Sequence, residues 1–485
     1  MAVEQTIARR RVGVDGAHEH YKWWALSCTS LGMLLATINS GTLIIALPDL
    51  ERALGTSILS LVWVILAYMI SSTVLVLFAG RLSDLFGRKR AYVAGFVVFA
   101  AASLGAGFAG DGTELIAWRI AQGIGGAFLF ANSSALVTDA FPREQLGLAM
   151  GTNTMVAAVG LVIGPVLGGV LVAISWHWVF WFNVPFALAG SLWAWLILRE
   201  LATPDRVRGY DVPGVLTFVA GLTGVVYGLS RAGLSGWGDP LTLGGIALGA
   251  VLLPVFVLIE HRHRAPMLDL SIFRNRLFAA ATGAAFINGL SRFALLFLFV
   301  FYFQGVQGDD PIKAGIEIAP MAIGMLIASP LAGVWADRFG SRALAAWGMV
   351  VTAAALAGMT TLGVHTSYFW AALWLFVVGV GSGMFNSPNT AAMMGTVPAH
   401  RRGIAAGART MLQNTGAVIS IAFVLAVVTS SVDKDTLFKI FSGVTTGLSE
   451  ATLDPFVSNM HTALWVLAAT SLVGAGVSLL RPKGD

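Results

Sequence analysis

The stretch GRLSDLFGRKR, residues 80–90, places one acidic and several basic side chains between two long apolar runs. A shorter copy, GVWADRFGSR, returns at residues 333–342, again between apolar runs. A second segment repeats at nearly the same offset, because GTNTMVAAVG at 151–160 matches GARTMLQNTG at 407–416. Segments that recur in the same order indicate a chain built from two equivalent halves.

The composition is that of a protein surrounded by lipid. Of the 485 residues 56% are hydrophobic and 11% are charged, and the mean hydropathy is +0.78. Soluble domains carry about 25% charged residues, whereas nearly uncharged apolar runs of about 20 residues are typical of membrane-spanning helices. We predict an all-α membrane protein with fourteen spans. The predicted spans are 23–47, 58–79, 91–109, 114–137, 148–172, 179–198, 212–230, 241–259, 277–302, 315–335, 343–362, 369–392, 403–428 and 460–480.

The basic residues are distributed unevenly between the two sides of the predicted membrane. With a cytoplasmic N-terminus, most of the 30 Lys and Arg residues lie in cytoplasmic segments. This asymmetry satisfies the positive-inside rule. We therefore expect both termini in the cytoplasm. We expect the net charge of +5 to set the orientation of the protein in the membrane and to attract membrane lipid. Nucleic-acid binding is not predicted.

The charged segment falls on the same side of the membrane in both copies, which predicts a parallel repeat. Transporters with this symmetry consist of two six-helix halves around a central site. We predict a cytoplasmic tail at 1–22, a six-helix bundle at 23–200, a two-helix insert with cytoplasmic linkers at 201–276, a second six-helix bundle at 277–480 and a cytoplasmic tail at 481–485.

Four segments resemble signatures of the major facilitator superfamily, in its fourteen-span drug:proton antiporter branch. Residues 80–90 resemble the loop signature between the second and third helices, and LIAWRIAQGIGGA at 115–127 resembles the fourth-helix signature. GLVIGPVLGG at 160–169 is similar to the fifth-helix antiporter signature, and WHWVFWFNVP at 176–185 to the turn that opens the sixth helix. The resemblance implies the major facilitator fold, with two six-helix bundles, two extra central helices and alternating access.

The charged segments are predicted to latch the two bundles in one conformation. Gly87 allows a tight turn, since glycine accepts positive φ. Asp84 is expected near the end of helix 2, where basic neighbours and a helix N-terminus stabilise its charge. The alternative is a basic loop that is merely solvated. The residues assigned to the latch are Gly80, Asp84, Gly87, Arg88, Asp337 and Arg338.

Three residues within the predicted helices are candidates for coupling transport to protons. The resemblance implies a coupling role for Arg119, because an arginine inside a span is costly unless it is paired or faces water; snorkelling to the interface is the alternative. Helix 1 of the branch commonly carries an aspartate before an ALP sequence, but the matching residue is Asn39, which cannot titrate. Glu317 is then the leading titratable candidate, with snorkelling again as the alternative.

The fifth predicted helix of the first half is rich in glycine. Gly160, Gly164, Gly168 and Gly169 place small residues along one face, which favours close helix contact. Pro165 is expected to bend this helix. The resemblance implies a role in antiport, and ordinary close packing is the alternative.

Polar residues inside the predicted helices mark the substrate route, because polar groups at membrane depth face the protein interior or a cavity. Arg292 lies near the middle of its span, where it would either attract an anionic or polar group of a substrate or bond a neighbouring carbonyl. The cavity candidates are Asn153, Asn288, Arg292, Asn386, Asn389, Gln413 and Asn414.

Other function classes lack their motifs in this sequence. There is no phosphate-binding GxxxxGK[ST] segment, and a single cysteine, Cys28, excludes a disulfide framework or a thiolate cluster. We predict no enzymatic activity, no cofactor and no metal site. The prediction is a monomeric secondary exporter of hydrophobic or amphipathic small molecules in the inner or plasma membrane, of the multidrug efflux type and driven by the proton gradient. The alternative is a lipid, siderophore or metabolite transporter with weak or no proton coupling.

Overall fold

The computed structural model describes residues 16–142, 145–200, 211–263, 266–397, 402–430, 432, 436, 439–440 and 450–482. Regular structure in these residues is helical. A 3₁₀ turn at Leu270–Arg274 precedes α11, and a π-helical turn at Tyr302–Val306 follows α12. The α-helices are α1 (Gly16–Ile45), α2 (Leu47–Leu54), α3 (Ile58–Phe86), α4 (Arg88–Ala106), α5 (Gly112–Ala140), α6 (Leu146–Ile174), α7 (Trp178–Trp181), α8 (Asn183–Ile197), α9 (Val212–Ser235), α10 (Pro240–Arg262), α11 (Arg276–Arg292), α12 (Ala294–Phe301), α13 (Pro311–Phe339), α14 (Ser341–Met359), α15 (Tyr368–Gly395), α16 (Arg402–Thr429) and α17 (Glu450–Leu479).

Twelve helical segments of the described chain are long and apolar enough to cross a membrane. The other two predicted spans, 91–109 and 148–172, coincide with α4 and α6, so the count of fourteen stays a prediction. The largest difference from the predicted boundaries is at the last helix, which begins at Glu450 instead of 460. The span predicted at 277–302 corresponds to the helical run Arg276–Val306, in which Phe293, between α11 and α12, keeps helical backbone angles.

Short polar side chains and glycines delimit the helices. Asp111 and Asp310 accept hydrogen bonds from the first free N–H groups of α5 and α13, as capping residues do. Gly87 and Gly340 have nearly the same backbone conformation, with φ of 98° and 82°, and each separates two long helices. The charged segment therefore forms the same tight turn in both copies.

The helices run back and forth between two ends of the bundle. We name them the Gly87 end, which also carries Gly340, and the Gly308 end, which carries the turn before α13. Contacts place both charged turns at one end: Glu200, after α8, bonds the backbone at the Gly87 turn, and Arg81 of α3 bonds the carbonyl of Pro266 in the linker before α11. The repeat is thus parallel in space.

The two halves repeat the same helix pairs. In the first half α1 packs on α6 and α8, α5 packs on α3 and α4, and α4 packs on α8. In the second half α11 packs on α16 and α17, α15 packs on α13 and α14, and α14 packs on α17. Glycines mark equivalent contacts, since Gly160 lies against Thr37 of α1 and Gly416 against Phe286 of α11.

The insert, α9 and α10, bridges the two halves on one side. Helix α9 packs on α10, on α3 of the first half and on α16 of the second. Gly233 lies directly against the backbone of Ala426 in α16. Helix α10 packs mainly on α9 and leaves Leu248, Val251 and Val257 exposed, as suits a lipid-facing helix.

Candidate functional site: the polar interior and the junctions between the halves

The first half contains a buried polar cluster centred on Asn39. Its Oδ1 accepts hydrogen bonds from Arg119 Nη1 at 3.3 Å, Gln122 Nε2 at 3.1 Å and Asn183 Nδ2 at 3.4 Å. These residues come from α1, α5 and α8, and all four are 1% exposed or less. We call Asn39, Arg119, Gln122 and Asn183 the Asn39 cluster. The fourth-helix and sixth-helix signatures thus meet at helix 1.

The guanidinium of Arg119 is held by dipoles instead of a carboxylate. Its Nε donates to the carbonyl of Val64 at 2.9 Å, Nη1 also bonds Gln122, and its Cζ lies 4.4 Å from the ring centroid of Tyr68. Among the described residues no acidic side chain forms an ion pair with it. Arg119 does not snorkel, because it is fully buried. The amide of Asn39 occupies the place of a counter-ion without its charge.

A second, half-buried cluster lies on α15 and α16. Asn386 Oδ1 accepts from Arg409 Nη2 and from Gln413 Nε2, both at 3.3 Å. Two residues before Arg409, Gly407 faces Leu77 of α3, so the cluster lies beside a contact between the halves. Arg409 is a further cation without a carboxylate partner among the described residues.

Arg292 and Asn288, one turn apart on α11, are buried, and their side chains have no hydrogen-bond partners among the described residues. Arg292 is 6% exposed, Asn288 is fully buried, and Nε of Arg292 and both amide atoms of Asn288 are sealed and unpaired. The alternative of a bond from Arg292 to a neighbouring carbonyl is not what the structure shows. The guanidinium only lies near the ring of Phe293, 4.6 Å from its centroid.

The remaining cavity candidates have different surroundings. Asn153 bonds Ser133 at 2.8 Å and Ser30 at 3.5 Å, which ties α6 to α5 and α1. Asn389 donates to the carbonyl of Ala281 and accepts from Arg481, so its amide links three helices of the second half. Asn414 is half-buried on α16.

The glycines of α6 face two different partners. Cβ atoms built on Gly160, Gly164 and Gly168 would meet Thr37, Gly41 and Thr42 of α1, within the first half. The helix remains continuous through Pro165. The close contact predicted for this face is therefore made with helix 1.

Gly169 forms the contact between the halves. A Cβ there would lie 2.5 Å from the carbonyl oxygen of Pro311 and 2.6 Å from Cα of Ile312. A Cβ on Gly315 would lie 2.5 Å from the carbonyl oxygen of Pro165. We call Pro165, Gly169, Pro311, Ile312 and Gly315 the Gly169 junction. Backbone meets backbone there, so the Gly308 end is closed between α6 and α13.

A hydrogen bond extends this closure to helix 1. Gln304 Nε2, in the turn before α13, donates to the carbonyl of Ile45 at 3.3 Å. The opposite end has its own contact, between Leu77 of α3 and Gly407 of α16, which α9 covers. The halves thus touch along two separate lines.

The turn residues of the first half bond their own bundle. Arg88 Nη1 contacts both carboxylate oxygens of Asp139 at 2.8 and 2.7 Å, and Glu200 accepts from the backbone N–H groups of Arg88 and Lys89. Gly80 faces Ala131 of α5. The side chains of Asp84, Asp337 and Arg338 lie outside the described residues, so the latch between halves stays a prediction.

Glu317 is the buried acid of α13 near the Gly308 end. It is 6% exposed, its Oε2 has no partner, and Lys313 Nζ lies 3.8 Å from Oε1. Glu317 follows Gly315 of the Gly169 junction by two residues. The described residues include no group of three or more His, Cys, Asp or Glu that could hold a metal ion.

Sequence reasoning missed several members of the site. Gln122 and Asn183 lie within recognised signatures, but their contact with Asn39 depends on how three helices rotate against each other. At the base of the insert, Glu260 and Asp211 are both buried. Asp211 Oδ2 lies 4.0 Å from His263 Nδ1, and Glu260 Oε1 has no hydrogen-bond partner among the described residues. Glu260 also accepts from the N–H of Leu268 at 2.9 Å.

Comparison with known proteins agrees with this architecture. The family description Major Facilitator Superfamily matches residues 29–421. The chain belongs to the major facilitator superfamily. It is 28% identical to the tetracenomycin C resistance and export protein of Streptomyces glaucescens, over 96% of this chain and 92% of that protein. It is 32% identical to the puromycin resistance protein pur8 of Streptomyces alboniger, over 84% and 82% of the two chains.

Solved structures show the same fold. A bacterial homologue of the human lysosomal transporter Spinster, inward-facing and unoccupied, matches with a TM-score of 0.66 at 14% identity, over 95% of this chain and 96% of that one. The human organic anion transporter MFSD10 matches with a TM-score of 0.62 at 15% identity, over 94% and 99% of the two chains. The protein is thus a multi-pass membrane transporter, and its named relatives include export and resistance proteins.

Proposed function

We propose that this chain is a secondary active exporter of hydrophobic or amphipathic small molecules, driven by the proton gradient. The observation that carries the proposal is the similarity to a resistance and export protein over 96% of the chain. The polar interior supports it, since buried amides and arginines on facing helices are what a solute pathway requires. We propose that the Gly87 end faces the cytoplasm, because its turns are basic.

Alternating access follows from the two lines of contact between the halves. The Gly169 junction closes the Gly308 end through backbone contacts that a small separation of α6 and α13 would break. Packed interfaces of this kind have discrete states instead of bending continuously. Opening the junction while the halves close at the Gly87 end would expose the interior to the other side.

Glu317 is the proposed proton carrier, because it is the buried acid on the helix that forms the junction. Its Oε2 has no hydrogen-bond partner among the described residues and provides a place for a proton. Lys313, 3.8 Å from Oε1, is shared with Asp309, which it contacts more closely. Proton binding would therefore change the local charge two residues from Gly315. Through the contacts of the Asn39 cluster, Arg119 is proposed to keep α1, α3 and α5 in fixed positions relative to one another.

The test is flux in proteoliposomes of the purified protein with an imposed pH gradient. Tetracenomycin C efflux is measured in the wild type, in Glu317→Gln and in Asp454→Asn, an exposed acid at the same end. We expect gradient-driven efflux in the wild type and the control, and its loss in Glu317→Gln. Gradient-driven efflux that persists in Glu317→Gln would remove this residue from the coupling step. A wild type that moves no compound would reject export itself.

Riboflavin is a second candidate substrate. The chain is 25% identical to the riboflavin transporter RibZ of Clostridioides difficile, over 93% of this chain and 96% of that protein. The same vesicles loaded with riboflavin separate the two cases. Riboflavin flux that is independent of the pH gradient would favour a metabolite transporter without proton coupling.

A further inference from the structure

Buried charged side chains lie at different depths in the interior. The buried acids of the described residues lie at the two ends: Glu51 and Glu317 at the Gly308 end, and Asp211 and Glu260 at the Gly87 end. Arg119 and Arg409 lie about as deep in the bundle as Glu317, each about two turns from the start of its helix, whereas Arg292 lies in mid-span. The charge in the middle of the described spans is therefore the positive charge of Arg292.

Arg292 differs from the other buried arginines. Arg119 donates to Val64, Asn39 and Gln122, and Arg481 donates to Asn389. No side chain or carbonyl among the described residues accepts a hydrogen bond from Arg292. Its Nε is sealed, so the 6% of the residue that stays accessible lies at other atoms. A buried guanidinium without a partner is costly unless another group supplies the acceptor.

The position of Arg292 suits contact with a solute. It lies in the middle of the helical run Arg276–Val306, which keeps helical backbone angles through Phe293. The part of this run that follows Arg292, α12, packs on α1 of the first half, so Arg292 lies close to where the halves meet. Asn288, one turn earlier, adds an amide whose oxygen and nitrogen are also unpaired. Three unsatisfied polar atoms thus lie within one helical turn.

We propose that Arg292 binds an anionic group of the transported molecule, and that the exported compounds are acidic amphipathic molecules. A guanidinium pairs with a planar carboxylate through two parallel hydrogen bonds, and such charge-assisted bonds are stronger than neutral ones. No acid in the middle of the described bundle competes for the arginine. A cationic solute would instead meet the positive charge of Arg292 there. This assignment of substrate class rests on the export function proposed above.

The experiment compares two dyes that share one ring system, anionic fluorescein and cationic rhodamine 6G. Binding to the purified protein is measured by fluorescence anisotropy, and efflux is measured in proteoliposomes. The variants are Arg292→Gln, Arg292→Lys and Arg276→Gln, the last removing an exposed charge from the same helix. We expect Arg292→Gln to weaken fluorescein binding roughly 10- to 100-fold, with Arg292→Lys in between and Arg276→Gln unchanged.

A measurement on the unaltered protein covers the case in which Arg292→Gln does not fold. Salicylate should displace bound fluorescein, and salicylamide, which lacks the charge, should not. Equal displacement by both compounds, or equal fluorescein affinity in the Arg292→Gln and Arg276→Gln variants, would overturn the anion site. If rhodamine 6G is exported and fluorescein is not, the anion site fails while the export function stands. If neither dye nor tetracenomycin C crosses the vesicle membrane, the export function itself fails.

Discussion

Replacing Gly169 by alanine should push the two halves apart at the Gly308 end. The added Cβ would lie 2.5 Å from the carbonyl oxygen of Pro311, whereas ordinary contact begins at 3.4 Å, so the backbones must separate by about 0.9 Å. Overpacking of this size costs about 1–3 kcal/mol. The cost falls only on the conformation in which α6 and α13 touch.

The expected result is a population shift, not unfolding. A bias of 1–3 kcal/mol changes the ratio of closed to open molecules by about 5- to 150-fold. Spin labels on Ala53→Cys and Ser367→Cys, both exposed at the Gly308 end, report the separation by double electron–electron resonance in a Cys28→Ala background. Gly169→Ala should move the distance distribution toward longer values.

Gly168→Ala is the matched control. A Cβ there would lie 2.7 Å from the carbonyl oxygen of Thr42, so the strain stays within the first half. The label distances should then resemble those of the parent, although thermal stability falls. If both variants, or neither, shift the distribution, the Gly169 junction is not what closes this end.

Three further predictions concern stability. Asp139→Arg combined with Arg88→Asp should recover part of the unfolding free energy that each single change removes, because the ion pair is only partly exposed. A double-mutant cycle measured by denaturant unfolding should give a coupling energy of about 1–3 kcal/mol. Asn39→Leu should destabilise the protein by about 1–3 kcal/mol. Asn39→Asp should destabilise it by less, since a carboxylate accepts the same hydrogen bond from Arg119. The melting temperature is measured by the reaction of the single buried cysteine with a fluorogenic maleimide as the protein unfolds. Burial raises the pKa of Glu51, so the folded state holds its proton at pH values where the unfolded state has lost it. Stability should therefore fall as the pH rises from the ordinary carboxyl pKa through the raised one. Melting curves of Glu51→Gln should show a weaker dependence of stability on pH in this range.

Local sequence signals predicted the fold well where backbone chemistry is decisive. The apolar runs must be helical in lipid, because their N–H and C=O groups find no other partners there. Gly87 and Gly340 had to be turns, since both copies need the same backbone conformation that glycine accepts most easily.

The site was predictable in composition but not in pairing. Arg119 and Asn39 were recognised separately, and their contact at 3.3 Å follows from the rotation of α1 and α5, which pattern alone does not specify. The same limit applies to Gly168 and Gly169. Adjacent glycines point about 100° apart on a helix, so one faces its own half and the other faces the partner half, and only tertiary packing decides which.

The exchange of a helix 1 acid for Asn39 has a consequence for how a proton could drive transport. With an acid in the middle of the described bundle, proton and substrate could compete for one site. Here the proposed proton carrier, Glu317, lies on α13 near one end, whereas the proposed substrate contact, Arg292, lies in mid-span on α11. If both assignments hold, we expect coupling to pass through the state of the halves and not through direct competition for one group. Glu317 stands two residues from Gly315, so its protonation acts where α6 meets α13, and the substrate responds only because that junction opens or closes.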